Sequence, residues 1–224
     1  MARNESLKDR FVKQLTADII SGKYRIGDNL PSERELCEIF GMSRTVVRAG
    51  LVELAANRFI ETRDRSGSVV LDYQRNASLS VLNAIFDSGG NLSEELMRGF
   101  LEARALVEAE TARLAARNRD DESLYQLYGI LRRQFALALE DVEALVETSF
   151  DFHRTVAEAG GNPIYPIFLT SMEPTYKILL RQYYRKGVTA EEILPMHKKM
   201  YEAIFDRNEE AAVAVMNEIL QYRV

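Results

Sequence analysis

The chain divides by the period of its apolar residues. Near the start, Leu7, Phe11, Leu15 and Ile19 recur every four positions, and Val12 and Ile20 widen the stripe. That spacing predicts an amphipathic helix. Ser21 and Gly22 end it, and Gly27 marks a turn. Ser32 stands as an N-cap with Glu35 as its capping-box partner, opening a second helix whose inner face carries Leu36, Ile39 and Phe40. Gly41 stops that helix, Ser43 caps a third, and Val47, Leu51 and Leu54 form its inward face. Two short β patterns follow at residues 59–62 and 69–71, joined by a turn over 63–68 that contains Gly67. Helix, helix, short glycine-containing turn, helix and hairpin is the order of a winged helix-turn-helix.

A polar stretch at 72–78 separates this segment from a second, wholly helical pattern. Over 93–222 the breaks fall near 118–121, 140–141, 160–163, 186–189 and 206–208. They predict about six helices in an antiparallel bundle. The fold class expected is therefore mainly α: an N-terminal winged helix-turn-helix followed by an all-helical bundle. The division expected is a DNA-binding domain at 1–73, a partly helical linker at 74–92 and a helical domain at 93–224. Tyr165, Phe168, Met172, Tyr176, Tyr183 and Tyr184 cluster late and, at helical spacing, read as core.

Composition narrows the function. Of 224 residues, 46% are hydrophobic and 28% charged, an ordinary globular balance. The single cysteine, Cys37, rules out an intrachain disulfide and suits a reducing cytoplasm. No apolar stretch follows the first charges, so no signal peptide is expected, and no apolar run of membrane-spanning length is present. The net charge is −5, yet residues 1–73 hold 12 basic and 11 acidic residues, and the remainder 17 and 23. A near-neutral first third with local arginines is compatible with DNA. On the third helix, Arg44, Thr45 and Arg48 share one outward face, and residues 41–51 contain no acid. Arginine there can grip phosphate or read guanine. Nucleophile-elbow, zinc-protease, P-loop and dinucleotide fingerprints are all absent from the sequence, and no enzyme is expected.

The stretch GKYRIGDNLPSERELCEIFGMSRTVVRAGLVELAANRFIETR resembles the GntR family of bacterial regulators. The resemblance covers roughly residues 7–71 and implies a third helix in the major groove and a wing reaching the minor groove. The residues it assigns to DNA are Arg34, Ser43, Arg44, Thr45 and Arg48, with Arg65 and Gly67 in the wing. Two positions depart from the family pattern. Ala49-Gly50 follows Arg48 where Glu-Ala is common, and glycine inside a helix should cost about 1 kcal/mol relative to alanine. The wing reads Arg65-Ser66-Gly67 rather than Gly-x-Gly, so a different turn is expected.

The stretches FLEARALVEAETARLAAR and SFDFHRTVAEAGGNPIY resemble the FCD domain, the helical sensor of the FadR-like branch of that family. This implies a homodimer on a palindromic double-stranded operator, with a small-molecule effector in the helical half and no membrane association. The effector implied is a carboxylate or an acyl thioester. Many FCD domains also hold a divalent metal with one Asp and three His. Those positions fall here on Ser149, His153, His197 and Ile219, so two ligands are lost. No metal or other cofactor is expected; one that did bind would rest on His153 and His197. Glu147 and Asp151 fall on the wrong side of the helix to replace the missing ligands. Arg104 and Glu108 match an Arg-x-x-x-Glu pair of the family, and a buried arginine can clamp a carboxylate. The effector residues implied are Arg104, Ser149, His153 and His197. Two other readings stay open: an enzyme built on the helical half, and a constitutive DNA-binding protein whose helical half only dimerises.

Overall fold

The computed structural model describes residues 6–63, 67–76, 79–87, 94–137 and 141–221. Its contacts divide the chain into two compact units, Met1–Leu92 and Ser93–Val224.

In the first unit, helix α1 (Leu7–Ile20) opens on a Ser6–Asp9 capping box. Helix α2 (Glu33–Phe40) opens on the Ser32–Glu35 box read from the sequence and ends on Gly41 in the left-handed region at φ 63°. Helix α3 (Arg44–Ala56) starts from Ser43, whose hydroxyl accepts from the Val46 N–H at 3.4 Å. Strands β1 (Ile60–Arg63) and β2 (Gly67–Val70) pair antiparallel, with Ile60 opposite Val70 and Arg63 opposite Gly67. Both strands reach further into the turn than the sequence pattern predicted. Asn29 adds one bridge to Val69.

Phe11, Leu15, Leu36, Val47, Leu54 and Phe59 are fully buried and form the centre of this unit. Two expected core residues lie outside it: Leu7 and Ile39 are 54% and 53% exposed. Leu7 is the first residue of its helix, with no turn before it to extend the stripe over the core. Ile39 sits near the end of an eight-residue helix in which Leu36 is the buried residue. Gly50 faces α1 so closely that a methyl group there would stand 2.3 Å from Phe11 Cδ1. Residues 74–92, read as a partly helical linker, contribute to helices α4 (Tyr73–Asn76) and α5 (Leu79–Asp87), and α5 packs on α1.

The second unit contains seven helices among the described residues, one more than the sequence pattern predicted. They are α6 (Glu94–Asn118), α7 (Asp121–Phe135), α8 (Val142–Ala159), α9 (Ile164–Ser171), α10 (Glu173–Arg185), α11 (Ala190–Phe205) and α12 (Glu209–Gln221). The unforeseen break is at Met172, which closes α9 and caps α10, with Pro174 in the first turn of α10. Helix α6 packs on α8, α11 and α12, α7 on α8 and α11, and α10 on α8. Their main core joins Leu127 and Ile130 of α7, Phe152 and Val156 of α8, and Met200 and Ile204 of α11. No helix among the described residues is long and apolar enough to cross a membrane.

Candidate DNA interface and effector cavity

The N-terminal unit exposes the outer face of α3. Arg44, Thr45 and Arg48 line one surface depression together with Ala49 and Val52. This follows from helix geometry, since positions i, i+1 and i+4 share a face while Val47, Leu51 and Leu54 turn inward. The Arg44 side chain is 80% exposed and rests 3.5 Å from Glu33 Oε2 of α2. An exposed pair of this kind is worth little and opens readily to a phosphate. Arg34 is exposed on α2. Ser43 faces α3 differently: its hydroxyl is engaged as the N-cap, so its role is to set where the helix begins. In the wing, Gly67 takes φ 80°, which glycine adopts without strain. Arg65 lies outside the described residues. Arg63 pairs with Glu61 at 2.8 Å on β1.

The helical unit contains a cavity of about 630 Å³, a size usual for small-molecule sites. The four residues expected to meet an effector, Arg104, Ser149, His153 and His197, all line it. Much of the remaining wall is apolar, from Met97, Leu101, Leu179, Leu180, Ile193 and Ile219.

The polar side of this cavity is a buried network built on α6, α8 and α10. Arg104 Nε donates to Glu108 Oε1 at 2.5 Å. Its Nη2 donates to the Tyr176 hydroxyl, and its guanidinium lies 3.8 Å from the centre of the Tyr176 ring. Tyr176 Oη donates in turn to Glu108 Oε2 at 3.1 Å. His153 Nδ1 stands 2.5 Å from the same oxygen, close in distance but misaligned for a hydrogen bond. Burial alone would raise the Glu108 carboxyl, but Arg104 and His153 outweigh it and hold the group at about 2. Burial likewise opposes the Arg104 charge, and Glu108 and Tyr176 overcome that opposition. The arginine charge is thus matched inside the protein.

His197, on α11, is fully buried. Its ring stacks on Phe152 at 4.4 Å, and Nδ1 meets Gln134 Oε1 at 3.1 Å. Nε2 has no hydrogen-bond partner. Burial pushes this imidazole well below its ordinary value, and the neighbouring His153 adds to the effect. Ser149 Oγ and Tyr184 Oη are 3.2 Å apart. Burial raises the Tyr184 hydroxyl, against the opposing hydrogen bond from Ser149.

The four positions that the FCD pattern gives to a metal do converge, since Ser149, His153, His197 and Ile219 line the same cavity. The donor set does not fit a metal. It offers two imidazoles, a neutral hydroxyl already paired with Tyr184, and an alkyl chain. Among the described residues no group of three or more His, Cys, Asp or Glu could hold an ion. Glu147 is turned to Lys177, Asp151 to Arg154, and Glu218 to Lys199.

Sequence reasoning missed Tyr176, Tyr183, Tyr184 and Gln134 as parts of the site. The three tyrosines read as core, and Tyr176 and Tyr184 do belong to a buried cluster with Tyr183 packed against the main core; in addition Tyr183 and Tyr184 line the cavity, and Tyr176 closes the Arg104–Glu108 network. Gln134 left a legible signal. It continues the buried stripe Leu127, Ile130 and Leu131 of α7 as a polar residue where the period calls for an apolar one.

Comparison with known proteins matches residues 7–70 to the model of bacterial regulatory proteins of the gntR family, and residues 100–222 to that of the FCD domain. The galactonate operon transcriptional repressor of Escherichia coli K12 is 30% identical over 209 residues, covering 91% of this chain and 89% of that protein. The HTH-type transcriptional regulator Mce2R of Mycobacterium tuberculosis is 31% identical over 179 residues, covering 78% and 73%. The fatty acid metabolism regulator protein of Shewanella halifaxensis is 27% identical over 205 residues, covering 91% and 83%. Among solved structures, that of Lar, which controls the Listeria monocytogenes agr system, superposes with a TM-score of 0.64 at 16% identity, covering 97% of this chain and 94% of that one. With a winged helix-turn-helix ahead of a helical FCD domain, and relatives that are regulators rather than enzymes, the chain belongs to the GntR family, in its FadR-like branch, and is a DNA-binding transcriptional regulator.

Proposed function

We propose that this regulator binds a palindromic operator as a homodimer and that a small molecule in the helical cavity modulates its affinity. The observation that carries the reading is the cavity itself: Arg104, Ser149, His153 and His197, from three different helices, line one space. A cavity of about 630 Å³ is more than a dimerisation bundle needs, which favours a sensor over a constitutive DNA binder. At the other end of the chain, Arg34, Arg44, Thr45 and Arg48 approach the DNA from α2 and α3, and Arg65 and Gly67 from the wing. Ser43 serves by fixing the start of α3. The effector acts by preferring one of two dimer states that space the recognition helices differently.

The names of the relatives point to fatty acid metabolism and to a galactonate operon, so acyl thioesters and small organic or sugar acids are the classes to test. The experiment is operator binding, followed by fluorescence anisotropy, with and without each class. One class should change operator affinity by about 5- to 150-fold. Ile219→Phe, which fills the cavity from α12, should abolish that response and leave operator binding in place. A response that survives Ile219→Phe, or operator affinity untouched by every class, counts against the reading.

A further inference from the structure

Resting on the reading that α3 lies against DNA, we infer that Val52, with Ala49 beside it, reads the 5-methyl group of a thymine in the major groove. Val52 is 65% exposed, whereas α3 buries Val47, Leu51 and Leu54 on its other side. Exposed helix faces are ordinarily polar, and a β-branched residue weakens a helix rather than supporting it. Neither the core nor the helix therefore accounts for a valine at this position. Its neighbours do. Thr45, Ala49 and Val52 stand at i, i+4 and i+7 on one face, and with Arg44 and Arg48 they line a single depression. No acid is among those lining residues. The one acid of α3, Glu53, is turned to Lys8 of α1 at 2.7 Å.

A single exposed valine is ordinary on a protein surface; one that shares a depression with two arginines of a DNA-binding unit is not. The turn of the helix puts Arg44 and Arg48 along one edge of that face and Ala49 and Val52 along the other. Base edges in the major groove offer hydrogen-bonding groups, which suit arginine, and one apolar group, the thymine methyl, which suits valine. Ala49 projects a single methyl group, so α3 can approach the bases where a longer side chain would hold it off. Val52 lies four residues beyond Arg48, about 6 Å along the helix, and base pairs stack about 3.4 Å apart. The thymine therefore falls within about two base pairs of the position that Arg48 meets.

The test selects a binding site for the full chain from randomised duplexes. Each thymine of the selected duplex is then replaced in turn by uracil, which removes the 5-methyl group and leaves every hydrogen-bonding group in place. Fluorescence anisotropy reads the affinity. At one thymine of a half-site, uracil should weaken binding about fourfold, the effect of one buried methyl group. Val52→Ala should bind the thymine and uracil duplexes alike. Because the methyl group is removed from the DNA, the first result depends on no variant folding. Uracil tolerated at every thymine, a uracil penalty undiminished in Val52→Ala, or a selection that converges on no sequence overturns the inference. Arg44→Ala and Arg48→Ala separate it from the reading on which it rests. If either weakens binding while uracil is tolerated, α3 stays on DNA and only the methyl contact falls. If both bind as the wild-type protein does, α3 leaves the DNA and the methyl contact goes with it.

Discussion

Glu108 shows how much of this protein's chemistry is held by a single side chain. It is fully buried and ionised, and it is tolerated only because Arg104, Tyr176 and His153 surround it. Removing one partner of such a group is far more damaging than the pair is helpful. Glu108→Gln leaves the Arg104 charge buried and unmatched, and should destabilise the protein by about 3–5 kcal/mol at neutral pH. The pH dependence has a definite sign. A carboxyl depressed from 4.5 to about 2 stabilises the fold by roughly 3 kcal/mol above its unfolded value. That contribution is fully present above about pH 4.5 and is lost as pH falls through the folded value near 2. Urea denaturation of both proteins between pH 7 and pH 3 checks this. The gap between them should narrow on acidification; a gap that stays constant would show that folding does not depress the Glu108 carboxyl, and one that widens would show that it is held neutral.

At the scale of elements, Gly50 reverses its own sequence-level reading. Taken alone, a glycine inside α3 weakens the helix relative to alanine by about 1 kcal/mol. In the fold it is the contact through which α1 and α3 approach. A methyl group there would lie 2.3 and 2.8 Å from the edge of the Phe11 ring. Phe11 cannot easily move, because it is fully buried and packs edge-to-face on Phe40 at 5.0 Å. Gly50→Ala should therefore destabilise the protein by about 1–3 kcal/mol, the opposite of what helix propensity gives. Adding Phe11→Leu should restore part of the loss. A more stable Gly50→Ala protein in chemical denaturation would contradict the contact. The same contrast explains what the sequence could show. Caps, turns and stripes are local, so Ser32–Glu35, Gly41 and the face Val47–Leu51–Leu54 were legible. The break at Met172 is marked locally too, by Thr170, Ser171, Glu173, Pro174 and Thr175, but a proline in a helical pattern does not by itself tell a new first turn from a kink. Arg104, Ser149, His153 and His197 could be placed by family resemblance. Tyr176 could not, because a tyrosine 72 residues from Arg104 looks like core until the helices are packed.

For the whole molecule, the distribution of charge bears on how DNA is bound. Residues 1–73 carry 12 basic against 11 acidic residues, and the rest of the chain 17 against 23. Attraction to DNA must therefore come from local arginines rather than from the overall field, which at a net −5 is repulsive. Arg48 illustrates this: it is exposed on α3, and no ion pair among the described residues engages it. One such small domain offers few contacts, and helix-turn-helix regulators gain affinity by reading two half-sites through a two-fold axis. A homodimer makes each contact twice. If Arg48 meets a phosphate, Arg48→Ala should lower the slope of log affinity against log salt by about 1.8 in a dimer, as against about 0.9 in a monomer. Light scattering should give twice the 25.5 kDa chain mass for the free protein, and that mass plus the duplex on the operator. A slope lowered by about 0.9 together with the mass of a single chain would refute the dimer. An unchanged slope with a loss of about 1–3 kcal/mol at one base position would instead move Arg48 from the phosphate backbone to the edge of a base.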